Sequence, residues 1–375
     1  MNILRNTLHA ILLASGLTAS AQHSSNGKIH VGLVYPLSSN GTHAPLDTNK
    51  FSLHLIAGVS AAENGASFSG ISTIVRGNAS GLQVAGFSNH IKHQASGAQF
   101  AGVLNTYGSG DGFAIAGFGN IAAGQVKGAQ ISGFANLAKD VEGIQIGGFM
   151  NKAANLAGSQ FAGFTNIAKS VSATQVAGFM NTAKDVKGSQ IAGFINIAKK
   201  VKGAQIAGFI NVADSSDFPI GIINLVKNGE KSIALTTDEN LTTLATFRSG
   251  GKKLYGIIGI GYNFENTEAV YAFEVGLGAH LFQSNSFRVN AELAAGSLEN
   301  FKKGDYFKSS LRILPAFKIS PNIEIFAGPA LNFINTDSYE GRTLTKKYIK
   351  SWESKWGNNL NALYLGYTGG IQFIF

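Results

Sequence analysis

The sequence predicts an all-β protein in which a parallel β-solenoid, with coils of about 15 residues, is joined to antiparallel strands of barrel type. Three observations predict this fold class. A phrase of the form Gly-x-Gln-Ile-Ala-Gly-Phe-x-Asn-x-Ala recurs from about residue 66 to residue 227. Long strands that alternate apolar and polar residues follow it, and the chain ends on an aromatic-rich strand, Tyr367 to Phe375. Composition agrees. With 47 glycines, only 6 prolines and 14% charged residues, the chain suits closely stacked backbones rather than collagen or a disordered linker.

Taken in order, residues 1–21 read as a secretory signal. Arg5 supplies the positive start, Ala10 to Leu17 a short apolar run, and Ala19-Ser20-Ala21 a cleavage site, so Gln22 is expected to begin the mature chain. No later apolar stretch is long enough for a membrane-spanning helix. Export then leads to free secretion, to the periplasm, or to insertion as a barrel. The absence of cysteine rules out disulfides, thiolate metal sites and a lipidated N-terminal cysteine. The net charge of +9 is spread along the chain, which reads as a solvated surface and points to no nucleic-acid partner.

Residues 22–65 carry two candidate strands, 29–36 and 51–60, which the sequence offers as staves of the barrel. Residues 66–227 form the repeat. Its glutamines fall at Gln83, Gln99, Gln130, Gln145, Gln160, Gln175, Gln190 and Gln205, and its asparagines run from Asn89 through Asn136 and Asn181 to Asn224. In a meander, equivalent residues of neighbouring copies do not meet, and nothing would require the same amide in each. In parallel coils they stack about 4.8 Å apart, where amides can hydrogen-bond up a column and phenylalanine rings can pack on one another. The periodic amides therefore favour the solenoid. Degenerate copies at Ser69–Thr73 and Pro219–Ile222 are expected to cap its ends.

Residues 228–375 form the barrel-like part, with regular alternation from residue 253 onward. Tyr271, Phe273, Val275 and Leu277 share one face, with Glu274, Gly276 and His280 on the other. Phe287, Val289 and Leu293 oppose Arg288, Asn290 and Glu292, and Leu311, Ile313 and Phe317 oppose Lys308, Arg312 and Lys318. Such strands match a small membrane barrel, and the two N-terminal candidates bring the count to eight. Pro315 and Pro329, each inside a candidate strand, argue against an unbroken ladder, and a soluble β-sandwich is the competing architecture.

The run Ile206 to Asp217, followed by Pro219 to Gly229, resembles the leptospira-type bacterial surface-repeat family, and so do Gly250 to Tyr255 and the Val-Ala-Gly-Phe copies. The final strand resembles the terminal signal of outer-membrane barrels. The first resemblance implies a surface or outer-membrane address and no activity; the second implies recognition by the barrel-assembly machinery.

Candidate chemistry is sparse. His90 and His93 lie three apart and would share a face only on a helix. Asp214 and Asp217, in Asp-Ser-Ser-Asp before Phe-Pro, read as a turn, and Asp238 stands near them at the end of the array. The glycine-rich stretches lack a phosphate-loop lysine at the required spacing. Lys139, Lys169, Lys184 and Lys199, with Lys202 nearby, form a candidate basic edge for anionic polysaccharide or lipid headgroups. Trp352 and Trp356 could anchor at a membrane interface. The expectation is a non-enzymatic, cofactor-free protein of the outer membrane or cell surface, structural or adhesive in role. Its expected partners are outer-membrane lipid, surface polysaccharide and other envelope proteins. A small channel and a glycan-active β-helix enzyme are the alternatives.

Overall fold

A computed structural model describes residues 28–302, 305–354 and 358–375, so the signal segment and Trp356 lie outside the described residues. The chain divides into two compact units between Ser172 and Ala173. The fold is a parallel β-solenoid of about 12 turns together with a closed eight-stranded antiparallel barrel.

The first unit consists of coils. Each coil runs through an inward-outward alternating strand, a Gly-Phe corner and a short second strand. Equivalent residues pair in parallel register, Gln130 with Gln145 and Gln145 with Gln160, Asn136 with Asn151 and Asn151 with Asn166. The expected amide columns are present and fully buried. Gln145 Nε2 donates to Gln130 Oε1 at 2.7 Å, and Gln160 donates to Gln145 at 2.7 Å. Each asparagine does two things. Asn136 Nδ2 donates to Asn151 Oδ1 at 2.9 Å and to the Ile146 carbonyl at 2.7 Å, so it ties one coil to the next and satisfies an oxygen beside the bend. Phenylalanine rings at the corner stack 4.8 to 5.0 Å apart, from Phe118 through Phe134 and Phe149 to Phe164.

Where the glutamine column lacks a member, another group takes its place. Ala114 pairs with Gln130, and the buried Tyr107 hydroxyl accepts from Gln130 Nε2 at 2.7 Å. Glycine stands two residues before most of the glutamines, Ala173 before Gln175 being an exception. Gly97 (φ +99°) and Gly128 (φ +109°) are left-handed, and a Cβ on Gly128 would collide with the Gly112 carbonyl.

The N-terminal strands correct the barrel count. Lys28–Val34 pairs in parallel with Thr48–Ser60, which pairs in parallel with Ala62–Ser69, so both belong to the coils. Parallel register makes the reason plain: His30, Ser52, Ser67 and Gln83 line up as one buried column, a stacking that an antiparallel barrel cannot give. Coils are thus already present at residue 28, well before the first recognisable repeat.

The second unit begins with further coils. Gln190 donates to Gln175 at 2.9 Å, Asn181 to Asn196 and Asn196 to Asn211 at 3.0 Å, and Phe179, Phe194 and Phe209 stack. Asp-Ser-Ser-Asp is not a free turn. Ser215–Ile220 is a strand that pairs with the preceding coil, Ser216 standing where Val201 stood, because coil register outweighs local turn preference.

The barrel follows. Its staves are β1 (Lys231–Asp238), β2 (Thr242–Gly250), β3 (Leu254–Asn263), β4 (Tyr271–Gln283), β5 (Phe287–Glu299), β6 (Tyr306–Ser320), β7 (Ile323–Thr336) and β8 (Leu360–Ile374). Neighbours are antiparallel, and β1 pairs with β8 to close the ring. The hairpin β1–β2, rather than the N-terminal strands, completes the eight. Both prolines sit on one seam: the β6–β7 ladder is interrupted between Arg312–Ala330 and Ala316–Phe326, where Pro315 and Pro329 lie. Each still pairs across its other edge, Pro315 with Val289 and Pro329 with Tyr367, so two missing donors cost one interruption.

The amide column gives a test. Asn136→Asp keeps the acceptor but loses both donated bonds and sets oxygen against oxygen, whereas Asn136→Ala only deletes them. Each orphaned buried group costs about 1–3 kcal/mol. Urea unfolding is expected to show Asp the more damaging of the two; equal effects would mean that the column contributes no directional bonding.

Candidate functional sites in the barrel and the coils

The barrel buries its charges. Inward positions on alternate residues carry Arg248, Glu274, Arg288, Glu292, Arg312 and Glu324, all buried. Arg248 Nε lies 3.0 Å from Glu292 Oε1, which also accepts from the Tyr255 hydroxyl at 2.9 Å. Arg312 is bidentate on Glu274 and lies 3.7 Å from Glu292. Arg288 bridges Glu230 at 2.8 Å and Glu324 at 2.7 Å. Toward the far end, Lys308 Nζ meets Asp238 at 2.7 Å and Glu239 at 3.3 Å. Desolvated charges are tolerable only when paired in this way.

Packing fills what remains. Two lumen cavities measure about 30 and 10 Å³, one lined by Glu274, Lys308 and Arg312, the other by Glu230, Arg248 and Arg288. On that measure about 10–15 Å³ accommodates one water molecule, so the smaller has room for about one and the larger for a few. Chain segments lie at both mouths. At one, Asn224 of the last coil takes Ser249 Oγ as acceptor for its N–H at 2.9 Å, and Gly256 approaches the Gly221 carbonyl so closely that a Cβ would not fit. At the other, the short helix Tyr339–Thr343 is N-capped by Ser338, and Glu340 accepts N–H bonds from Thr267, Glu268 and Ala269. Just beyond it, Leu344 packs among the lumen residues Leu244, Tyr306, Ile334 and Tyr364.

The outer surface is the reverse. Ile233, Leu235, Ile260, Phe273, Leu277, Leu293, Leu311, Ile325 and Ile371 stand exposed around the ring, and Leu365 is 70% exposed. Aromatic rings collect near both rims. Tyr262, Tyr271 and Phe301 make contact near one, Phe282, Phe287 and Phe317 near the other. Trp352 lies against Phe333 near the first of these rims.

The basic edge is placed without a cradle. Lys139, Ala154 and Lys169 follow one another in one column through backbone bonds, as do Lys184, Lys199 and Asp214 in the second unit, all the lysines exposed. Lys202 stands on the adjacent strand rather than in that column. Neighbouring carboxylates compete for the edge: Glu142 lies 4.0 Å from Lys127, and Asp214 lies 2.6 Å from Lys227, whose hydrogen bond holds that carboxyl below its usual range. His90 bonds Thr106 at 2.7 Å, while His93 is exposed. Asp217 is exposed, and Asp238 belongs to the lumen network. Among the described residues no group of three or more His, Asp or Glu side chains could hold a metal ion.

One cluster escaped the sequence reading. In the first coils His30, His54 and Glu63 are buried where later coils carry amides or small residues. The two imidazoles meet edge to face, 4.3 Å between centroids. Glu63 accepts from Asn49 at 3.1 Å and from Ser52 at 2.9 Å, yet burial still raises its pKa. Burial, reinforced by His30, pushes the His54 imidazole down to about 4, and neither of its ring nitrogens has a hydrogen-bond partner. Also missed were Glu230, Arg248, Tyr255 and Glu324; the inward parity of β7 carried a signal for Glu324, while β2, which holds Arg248, alternates only weakly.

A scan against protein-family profiles, a search of curated proteins and a search of solved structures each returned no match.

Two tests follow from these clusters. His54 is neutral in the coil and protonates at about 6.5 when unfolded, so the unfolded chain binds the extra proton. Stability of the first coils is therefore full above that value and falls as pH drops from about 6.5 to about 4. Glu63 works oppositely, its raised pKa contributing stability that fades as pH rises. Hydrogen-exchange protection factors over residues 28–75 should fall on acidification and become flatter in His54→Phe, while Glu63→Gln keeps the acid loss. An unchanged profile in His54→Phe would refute the assignment. In the lumen, Glu292→Leu strands Arg248 and part of Arg312, a loss of about 3–5 kcal/mol. Arg248→Met added to Glu292→Leu should recover much of it in urea unfolding of the barrel.

Proposed function

We propose that this chain is a non-enzymatic cell-envelope protein whose barrel sits in an outer membrane as an anchor, with the coils as its structural or adhesive part. One observation carries the reading: the barrel is inverted relative to a water-soluble protein. Its charges are paired inside, and every stave turns apolar or aromatic side chains outward. Soluble monomers rarely expose a contiguous apolar patch beyond a few hundred Å², whereas a ring of such residues with aromatic rims fits the hydrocarbon layer of a bilayer. The signal-like residues 1–21 and the alternating apolar pattern of β8 support the same address.

The filled lumen supports an anchor over a channel. Among the described residues the lumen is crowded by paired charges around small cavities, with coil residues near one mouth and Leu344 near the other, which favours an anchor over the open aqueous channel that larger barrels enclose. The coils support a structural role, because their buried polar atoms serve mainly to hold one coil on the next. Partners consistent with this reading are outer-membrane lipid, surface polysaccharide and other envelope proteins.

Cell fractionation tests it. The protein is expected to remain with the outer membrane after carbonate washing and to give no conductance steps in planar bilayers. Complete release into the soluble fraction would overturn the anchor.

A further inference from the structure

We infer that the first unit docks, along one apolar edge, against a second copy of this chain. The edge is built by the coil repeat. One column of outward side chains, Val84, Phe100, Ile115, Ile131, Ile146 and Phe161, stands in register from coil to coil. A second, three residues on, contains Phe87, Val103, Phe118, Phe134, Phe149 and Phe164, which backbone bonds carry from coil to coil. Between them runs a line of corner glycines, Gly86, Gly102, Gly117, Gly133 and Gly148. None can carry a side chain, because a Cβ would strike the carbonyl oxygen of the glycine one coil before. The result is two apolar ridges with a bare trough between them. In the first coils the trough closes, since Leu55 stands where Gly70 and its successors follow. A groove of about 460 Å³ lined by Val31, Leu53, Leu55 and Phe68 marks that end.

The chemistry of this face selects the occupant. Backbone groups at the corner are spent on neighbouring coils, Phe134 N–H on the Phe118 carbonyl and Phe149 N–H on the Phe134 carbonyl, both at 2.9 Å. No donor or acceptor row is left for an added peptide strand. The stacked rings present edges rather than faces, which removes a sugar-binding platform. Neither ridge carries a charge.

A second copy fits on two counts. The twelve ridge residues expose together on the order of 800 Å² of side chain, the area each partner gives to a stable protein–protein interface. The ridges also repeat at the coil spacing, and only another copy is certain to have the same period. Laid antiparallel, one copy's ridge enters the other's trough at every coil, a self-complementary two-fold contact of the dry, interdigitated kind. The exposed Lys139 and Lys169, on a different column, are not part of this face.

The chain has no cysteine, so single cysteines report cleanly. Phe87, Phe118, Phe134, Phe149 and Phe164 are each replaced by cysteine in the full chain, with Lys139→Cys and Lys169→Cys as controls. Producing cells are oxidised with copper phenanthroline and run on non-reducing gels. Disulfide-linked dimer is expected to peak at one height on the ridge, nearest the two-fold axis, at least tenfold above the controls. Equal linkage along the whole ridge would overturn the antiparallel arrangement. No linkage, with the ridge cysteines shielded from a water-soluble maleimide, would assign the face to lipid or another partner. No linkage with free labelling would leave it facing solvent. Either result overturns the proposal, and five positions keep the test valid if one variant fails to fold.

Discussion

The coils depend on one interaction, the hydrogen bond between identical buried amides one coil apart. A side-chain amide donates from one atom and accepts on another along a line, so a column of them can pass hydrogen bonds from coil to coil. That property turns polar burial from a cost into a register device. A slip of one residue would set Gln130 against the space of Ile146 and leave both columns unpaired. The asparagine column adds a second lock, because each Nδ2 also reaches a carbonyl at the bend. The coil cannot lengthen there without losing that bond.

The same logic fixes what lies outside. Amides, alanines and a valine nearly fill the inside of a narrow coil, as the fully buried Gln145, Asn151 and Val141 show. The larger apolar residues of the repeat, Ile131, Phe134 and Leu137, must then stand on the outer surface. The barrel reaches a similar inversion by a different route, with ion pairs inside and leucine, isoleucine and phenylalanine outside. In both halves, polar groups are buried because they can be paired, and apolar surface is left over. That surplus needs a partner: hydrocarbon is the proposed one for the barrel, and a copy of the chain is the inferred one for the first unit's edge.

Legibility in the sequence followed periodicity. Wherever the amide recurred, the parallel coil could be read directly, and alternation in Tyr271–Leu277 and Phe287–Leu293 marked inward charges correctly. What escaped were places where the column survives but the residue type changes. His30, Ser52 and Ser67 continue the glutamine column without an amide, so the first coils looked like separate strands. Ala114 interrupts the column, and only the fold shows Tyr107 reaching across the gap. The β1–β2 hairpin was missed as a pair of staves because Thr236, Thr246 and Ala234 give its inward face little contrast with Ile233 and Leu235. Which charges meet was not legible at all: Arg248 and Glu292 are 44 residues apart, and barrel closure alone brings them together.

Closure also decides why the charged lumen is affordable. In an open sheet, Glu274 and Arg312 would each have water as an alternative partner, and a surface pair would contribute little. In the closed ring the space beside them has room for little water, so each carboxylate is held chiefly by what the facing staves supply, and Glu292 is shared between Arg248, Arg312 and Tyr255. Such a network resists rearrangement, because moving one stave by a residue would turn its charges outward into the apolar belt. The barrel's register is thus held from inside by charge pairing as the coils' register is held by amides. In both, the polar interior specifies the fold, and the apolar exterior specifies where the fold can reside.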